Sequence, residues 1–311
     1  MKAIGIESFE EGPKVLEVDV PKAGPGEVLV KVKHSSLNGF DVAVASGMYQ
    51  NFMEHRFPLV LGKDFAGTVE EAGEGVTLVS AGDSVFGELV REYVGDGTFA
   101  EYVVVPEAIG LAKVPEGLDL ATAGALALAG STAYQSVDAV SPADGDVVLV
   151  SGATGGVGSK AVQLAASSGA AVIATARPGD EAEFVKGLGA NHTVDYSGDV
   201  EAQVRAIAPD GLDAVIHTAG DGVQLADLLR DGGRFASSQM VGPDQLAGKD
   251  VEATPIMHMP HRETLEELAR RAAGGELRVA IQHTYKLDEV PQAIKDFSEQ
   301  GKLGKLAVTT E

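Results

Sequence analysis

The chain has 311 residues, no cysteine and a formal net charge of −22. Its length gives about two domains with room for buried cores, while the charge excludes nucleic acid or an anionic membrane as partner, since binding to either rests on clustered Lys and Arg. The absence of cysteine removes disulfides, thiolate chemistry and cysteine-ligated zinc together.

Residues 1–12 lack the continuous apolar core of a signal peptide and predict a first strand. Up to about Pro115 the chain is rich in short β-type runs, such as residues 28–32, 67–71 and 100–105, punctuated by Gly and Pro at 21–25, 73–75 and 81–83. That texture predicts a mostly-β domain. The uncharged run between Asp119 and Asp138 contains Thr122, Gly124, Gly130, Ser131, Thr132 and Gln135, so it predicts a buried helix rather than a membrane span. From about Leu118 helices and strands alternate, with apolar runs at Val147–Val150, 171–176 and 214–216. Alternation of this kind predicts a parallel sheet covered by helices. Helical spacing over Arg262–Ala273 ends at Gly274–Gly275, and a helix over 290–299 and a strand over 306–309 close the chain. The expected domains are 1–118, joined by 265–311, and 119–264.

The sharpest local feature is the turn Ser151-Gly-Ala-Thr-Gly-Gly-Val-Gly158, which follows an apolar strand, opens a helix and leads to a second strand. This is the context a dinucleotide fingerprint requires, although Ala153 replaces its first glycine. Gly155 would admit a pyrophosphate close to the backbone, Gly158 would let helix pack on strand, and Thr154, Gly156 and Val157 complete a turn whose helix N-terminus favours anions. The order Gly-Ser-Lys disfavours a P-loop. At the end of the second strand, Ala176 stands where an NAD enzyme carries an acid for the ribose 2′-OH, and Arg177 offers a bidentate partner for a 2′-phosphate. NADPH is therefore the expected cofactor. Asp180, Glu181 and Glu183 dilute the positive field there.

These residues, with Leu37-Asn-Gly-Phe-Asp41, Ser46-Gly-Met-Tyr49, Pro58-Leu-Val-Leu-Gly-Lys-Asp-Phe-Ala-Gly67, Gly130-Ser-Thr-Ala-Tyr134, Gly187-Leu-Gly-Ala190, Asp195-Tyr196 and Gly304-Lys305 in that order, resemble the medium-chain dehydrogenase/reductase superfamily. The resemblance is to its zinc-free quinone oxidoreductase (ζ-crystallin-like) branch. It implies an α/β chain: a GroES-like mostly-β domain plus a Rossmann domain with a doubly wound parallel sheet, and the active-site cleft between them. At the three zinc-ligand positions of the related alcohol dehydrogenases stand Asn38, Lys63 and Leu128, so no zinc is expected. Without a Lewis acid, the chemistry left is hydride transfer to a quinone or electron-poor enone.

By the same resemblance Asn38 orients the substrate carbonyl or ring, Asp41 mainly holds the loop, and Tyr49 stacks on a flat substrate or donates its hydroxyl. Thr132 contacts the nicotinamide, Tyr196 lies close to the 2′-phosphate, Lys305 reaches the cofactor from the closing strand, and His217 borders a ribose. A lysine that some relatives set on the phosphate is replaced by Glu181. His258 and His261 flank Pro260 without a third ligand and predict no metal site. The expected protein is a cytoplasmic, NADPH-dependent, zinc-independent reductase and a homodimer, acting on a small quinone or enone. The rivals are an enone or 2-alkenal reductase and an NADPH-binding sensor or structural protein with little turnover.

Overall fold

The structure, a computed structural model, describes residues 1–298 and 302–311. Its contacts divide the chain into two units, Met1–Leu128 with Pro260–Glu311, and Ala129–Met259. The divisions fall at 128/129 and 259/260 rather than at 118/119 and 264/265, and the uncharged run explains the first shift. It forms two helices, Leu120–Gly124 and Ala127–Val140, instead of one. Asp119 caps the first by accepting the Thr122 N–H at 2.8 Å. The N–H groups of Ala125 and Leu126 then tighten onto carbonyls three residues back, and the Leu128 N–H donates to Asp64 Oδ1 at 2.8 Å. Gly124 packs so closely that a Cβ there would lie 3.0 Å from that of His34. Gly124 thereby ties the first helix, and Leu128 the start of the second, to unit 1.

In unit 1 the main sheet runs, neighbour to neighbour, through Leu111–Lys113, Ser84–Glu88, Asp64–Ala72, Glu27–Ser36, Lys305–Thr309 and Ile281–Lys286, with Tyr102–Pro106 also paired to Glu27–Ser36. The predicted first strand is Lys2–Ile6, paired with Lys14–Glu17 and Leu59–Val60. Val28, Val30, Phe65, Val85 and Leu111 fill one core of this unit. Ile4, Leu37, Leu59, Val290 and Val308 fill another, so the returning C-terminal segment is part of the unit's interior. The last helix spans Val290–Phe297; Glu299, at its expected end, lies outside the described residues. The strand Glu27–Ser36 pairs antiparallel with both Asp64–Ala72 and Lys305–Thr309. Three distant stretches of sequence thereby bring polar residues to one spot.

Unit 2 is a six-stranded sheet in the order His192–Val194, Ala171–Thr175, Val147–Val150, Leu212–His217, Leu229–Ser237, Val251–Pro255, with every neighbouring pair parallel. Successive residues of the central strands bury on opposite faces: Val148, Val150 and Ile216 in one core, Leu149, Val215 and Phe235 in another. Burial on both sides is why these strands read as continuous apolar runs. The edge strand Val251–Pro255 alternates in polarity and carries a proline, which an edge tolerates. Among the described residues, no helix is long and apolar enough to cross a membrane.

Candidate active site

The glycine turn of unit 2 connects the central strand Val147–Val150 to the helix Gly158–Ser167. Its glycines do different work. A Cβ on Gly158 would stand 2.2 Å from the Gly152 carbonyl oxygen and 2.7 Å from the Ala153 Cα, so helix and strand pack only because it has none. A Cβ on Gly155 would meet only the Gly152 oxygen, at 3.4 Å, and no other part of the protein needs that space. Open room at Gly155, beside the unpaired N–H groups of a helix start, fits a dinucleotide's pyrophosphate. Ala153 is fully buried beneath the turn, and Thr132 is buried on the helix Ala127–Val140.

At the end of the second strand, Arg177 is engaged. Its Nε and Nη2 donate to Glu181 Oε1 at 2.9 and 2.6 Å, and its backbone N–H donates to Glu181 Oε2 at 2.8 Å. The Tyr196 hydroxyl donates to the same Oε1 at 3.1 Å. Burial alone would raise the Glu181 carboxyl, but the hydrogen bonds from Arg177 and Tyr196 outweigh it and hold it below the usual carboxylate range. Arg177, Glu181 and Tyr196 thus form one cluster, with the acid as its hub. Sequence reading treated Glu181 as a diluting charge and missed that it binds the arginine directly.

His217 is 1% exposed. Its Nε2 faces the Gly220 carbonyl at 3.1 Å and must donate to it, which makes Nδ1, 2.9 Å from Ser237 Oγ, the acceptor. Burial lowers its pKa, so the ring is a neutral clamp with both nitrogens spent inside the unit. No group of three His, Asp or Glu side chains suited to a metal occurs among the described residues, the His258 and His261 segment included.

In unit 1, Asn38, Ser36, Asp64 and Lys305 share one buried network. Asp64, fully buried, accepts from Ser36 Oγ at 2.6 Å, Asn38 Nδ2 at 2.9 Å and the Leu128 N–H at 2.8 Å. The Lys305 Nζ donates to Leu37 O at 2.8 Å and Asn38 Oδ1 at 2.6 Å, and lies 3.3 Å from Asp64 Oδ2. All three ammonium hydrogens of Lys305, the residue expected to reach the cofactor, are directed at acceptors in the interior of unit 1. Both amide hydrogens of Asn38 are committed, to Asp64 and to the Ser36 carbonyl at 3.3 Å. Its side chain is locked in orientation but holds no spare donor. Asp64 lies within the run Pro58–Gly67, and the signal that could have singled it out is a carboxylate heading the strand Asp64–Ala72, whose first residues are buried, a position that demands buried partners.

Asp41 begins the helix after Asn38, and its Oδ2 accepts the Asn38 backbone N–H at 2.8 Å. Complete burial pushes its carboxyl up to about 7, against the lowering effect of that hydrogen bond. Tyr49 stacks on Phe40, ring centres 5.5 Å apart and planes 25° from parallel. Beside these lies a shallow, open pocket lined by Phe40, Asp41, Lys63, Leu89, Arg91 and Tyr93 among others. The Lys63 Nζ donates to the Leu89 carbonyl at 2.6 Å and sits 5.1 Å from the centre of the Phe40 ring. The two zinc-ligand positions in this region thus carry a clamped amide and an ammonium, neither of which fits a zinc ion.

Residues 24–116 match the alcohol dehydrogenase GroES-like domain and residues 188–308 match the zinc-binding dehydrogenase family. A chloroplast envelope quinone oxidoreductase homolog of Arabidopsis thaliana is 32% identical, covering 99% of this chain and 98% of that protein. Among solved structures, the quinone oxidoreductase from Coxiella burnetii superposes with a TM-score of 0.90 at 29% identity, over 100% of this chain and 99% of the other. An NAD-dependent alcohol dehydrogenase gives a TM-score of 0.89 at 28% identity, over 100% of both chains.

Proposed function

The chain belongs to the medium-chain dehydrogenase/reductase superfamily, among its quinone oxidoreductase-like proteins, and from that premise we propose that it is an NADPH-dependent, zinc-independent reductase of quinones or related conjugated carbonyls. The family relationship supports an NAD(P)-dependent oxidoreductase. The observation that carries the finer reading is that one chain holds both an open Gly155 in unit 2 and, in unit 1, a pocket lined by aromatic rings and by Lys63, an ammonium at a position where the resemblance to alcohol dehydrogenases expects a zinc ligand.

When bound, the nicotinamide supplies two electrons as hydride. The protein's part is binding and orientation. The Gly155, Gly156, Val157 and Gly158 backbone would cradle the pyrophosphate, with Thr154 at its side and Ala153 beneath. Arg177 would turn toward a 2′-phosphate while Tyr196 borders it, and Thr132 would meet the nicotinamide. In unit 1 the Phe40–Tyr49 stack suits one face of a flat acceptor. The Asn38 amide, clamped by Asp64 and Lys305, shapes the wall beside it. The reading extends to a cytoplasmic homodimer, which light scattering on the purified chain would check for the dimer.

The test measures NADPH and NADH oxidation with a benzoquinone and an alkenal. NADPH turnover with either acceptor supports the proposal, and product analysis for hydroquinone or saturated carbonyl separates the two substrate classes. Tight NADPH binding without turnover would make the chain a sensor. For the cofactor, Arg177→Ala should weaken NADPH about tenfold while leaving NADH nearly unchanged. Glu181→Gln, which frees Arg177, should shift the ratio toward NADPH. An NADH preference in the wild type overturns the assignment.

A further inference from the structure

Reduction of a conjugated carbonyl moves electron density onto its oxygen, and a site that lowers the barrier needs a donor aimed at that atom. The polar donors of the pocket lining and of the Asn38 network are mostly engaged. Both Asn38 amide hydrogens go to Asp64 and the Ser36 carbonyl, and Lys305 directs its three hydrogens at Leu37, Asn38 and Asp64. Arg91 lines the pocket, but its guanidinium pairs with Glu27 at 3.0 Å and Asp96 at 3.5 Å and donates to the Val104 carbonyl. The Tyr93 hydroxyl is donated to Asp96 at 2.6 Å. Lys63 differs from all of them. Among the described residues its one hydrogen-bond partner is the neutral Leu89 carbonyl, and no carboxylate pairs with it. An ammonium carries three donors, so two remain, in a half-buried position on a pocket walled by Phe40 and Leu89.

We propose that Lys63 is a catalytic residue that donates a charge-assisted hydrogen bond to the substrate oxygen as it becomes an oxyanion. The inference rests on the reading of the chain as a reductase of conjugated carbonyls. Its chemistry follows from position: the ammonium lies over an aromatic face, where water is partly excluded and a hydrogen bond to an anion gains strength. The neighbouring carboxyl of Asp41 is buried and shares its hydrogen bond with the Asn38 backbone, while Asp96 is occupied by Arg91 and Tyr93. Lys63 is thus the cation of this pocket whose charge is left for a ligand.

The test has two readouts. In the first, 4-nitrophenol, whose phenolate mimics the oxyanion, is titrated by absorbance into the full-length protein with oxidised NADP present. The wild type should bind phenolate at least tenfold more tightly than phenol, seen as a lowered phenol pKa. Lys63→Met should lose that preference and Lys63→Arg should keep most of it. A preference that persists in Lys63→Met, or a wild type with no saturable phenolate binding, overturns the inference. In the second, Lys63→Met should lower kcat by 10- to 100-fold with a smaller change in KM, and Lys63→Arg should restore much of it, as a donor acting on developing charge requires. A wild type inactive on every acceptor overturns the reductase reading itself. An active wild type whose Lys63→Met variant keeps its kcat overturns only the role of Lys63.

Discussion

The Asp64–Lys305 pair can be tested by removing one partner at a time, because the two removals leave different residues stranded. Both side chains are buried, Asp64 at 0% and Lys305 at 3% exposure. Breaking a buried pair by deleting one member costs about 3–5 kcal/mol, since the other charge stays in a medium that solvates it poorly. Lys305→Met leaves the Asp64 carboxylate three donors, from Ser36, Asn38 and the Leu128 N–H, so the loss belongs near 3 kcal/mol. Asp64→Asn leaves the Lys305 ammonium only the neutral Leu37 and Asn38 oxygens. It also turns an amide –NH₂ toward groups that are themselves donors, which puts the loss near 5 kcal/mol. Against a typical total of about 5–15 kcal/mol, that variant would be marginal. Urea unfolding of the wild type, both single variants and the double variant measures this. The order Asp64→Asn worse than Lys305→Met is expected, with the double variant costing less than the two losses summed. A Lys305→Met loss below about 1 kcal/mol, the size of an exposed pair, or strict additivity would refute the reasoning.

Two further outcomes follow from local geometry. Gly155→Ala should fold with an unchanged midpoint but bind NADPH weakly, whereas Gly158→Ala, whose Cβ would strike the Gly152 carbonyl, should lower the unfolding midpoint; fluorescence titration beside thermal denaturation separates the two. Asp41 has a carboxyl near 7 in the folded protein and an ordinary value of 3.8 when unfolded. Between those values the folded state holds the extra proton, so this group's contribution falls as pH rises from about 4 to about 7 and is flat above. Asp41→Asn keeps an acceptor for the Asn38 N–H and should gain stability over the wild type across that window, the gain vanishing below pH 4. An advantage constant from pH 4 to 8 would refute the assignment of that shift to burial.

What could be read along the chain was what the chain builds locally. The turn 151–158 was legible because strand, glycine spacing and helix start are contiguous, and the alternating texture from about Leu118 onward pointed to the parallel sheet. The network around Asn38 was not. Asp64 and Lys305 are 241 positions apart and meet only because Glu27–Ser36 pairs with a strand from each end of unit 1. The same distance hid the partners of Lys305, which lie in the interior of unit 1. Glu181 shows a smaller failure: an i, i+4 spacing from Arg177 was visible, but a count of charges near a phosphate does not say which of them bind each other.

The net charge gains a sharper meaning from the way individual cations are used. A chain with 24 basic and 46 acidic residues has carboxylates enough to match its basic groups, so a half-buried cation that lines a pocket without a carboxylate partner is not short of anions in the chain as a whole. Lys305 is matched and enclosed. Arg177 is matched by Glu181 but has 40% of its side chain exposed, so on the proposed NADPH reading a 2′-phosphate would compete with an acid already in place. Among the described residues Lys63 has a carbonyl as its hydrogen-bond partner and an aromatic ring beside it, and Asp41 is near enough to feel its charge without forming an ion pair. An anion arriving at Lys63 displaces no carboxylate, which is why a charge that exists only during the reaction can be stabilised there without first breaking an ion pair.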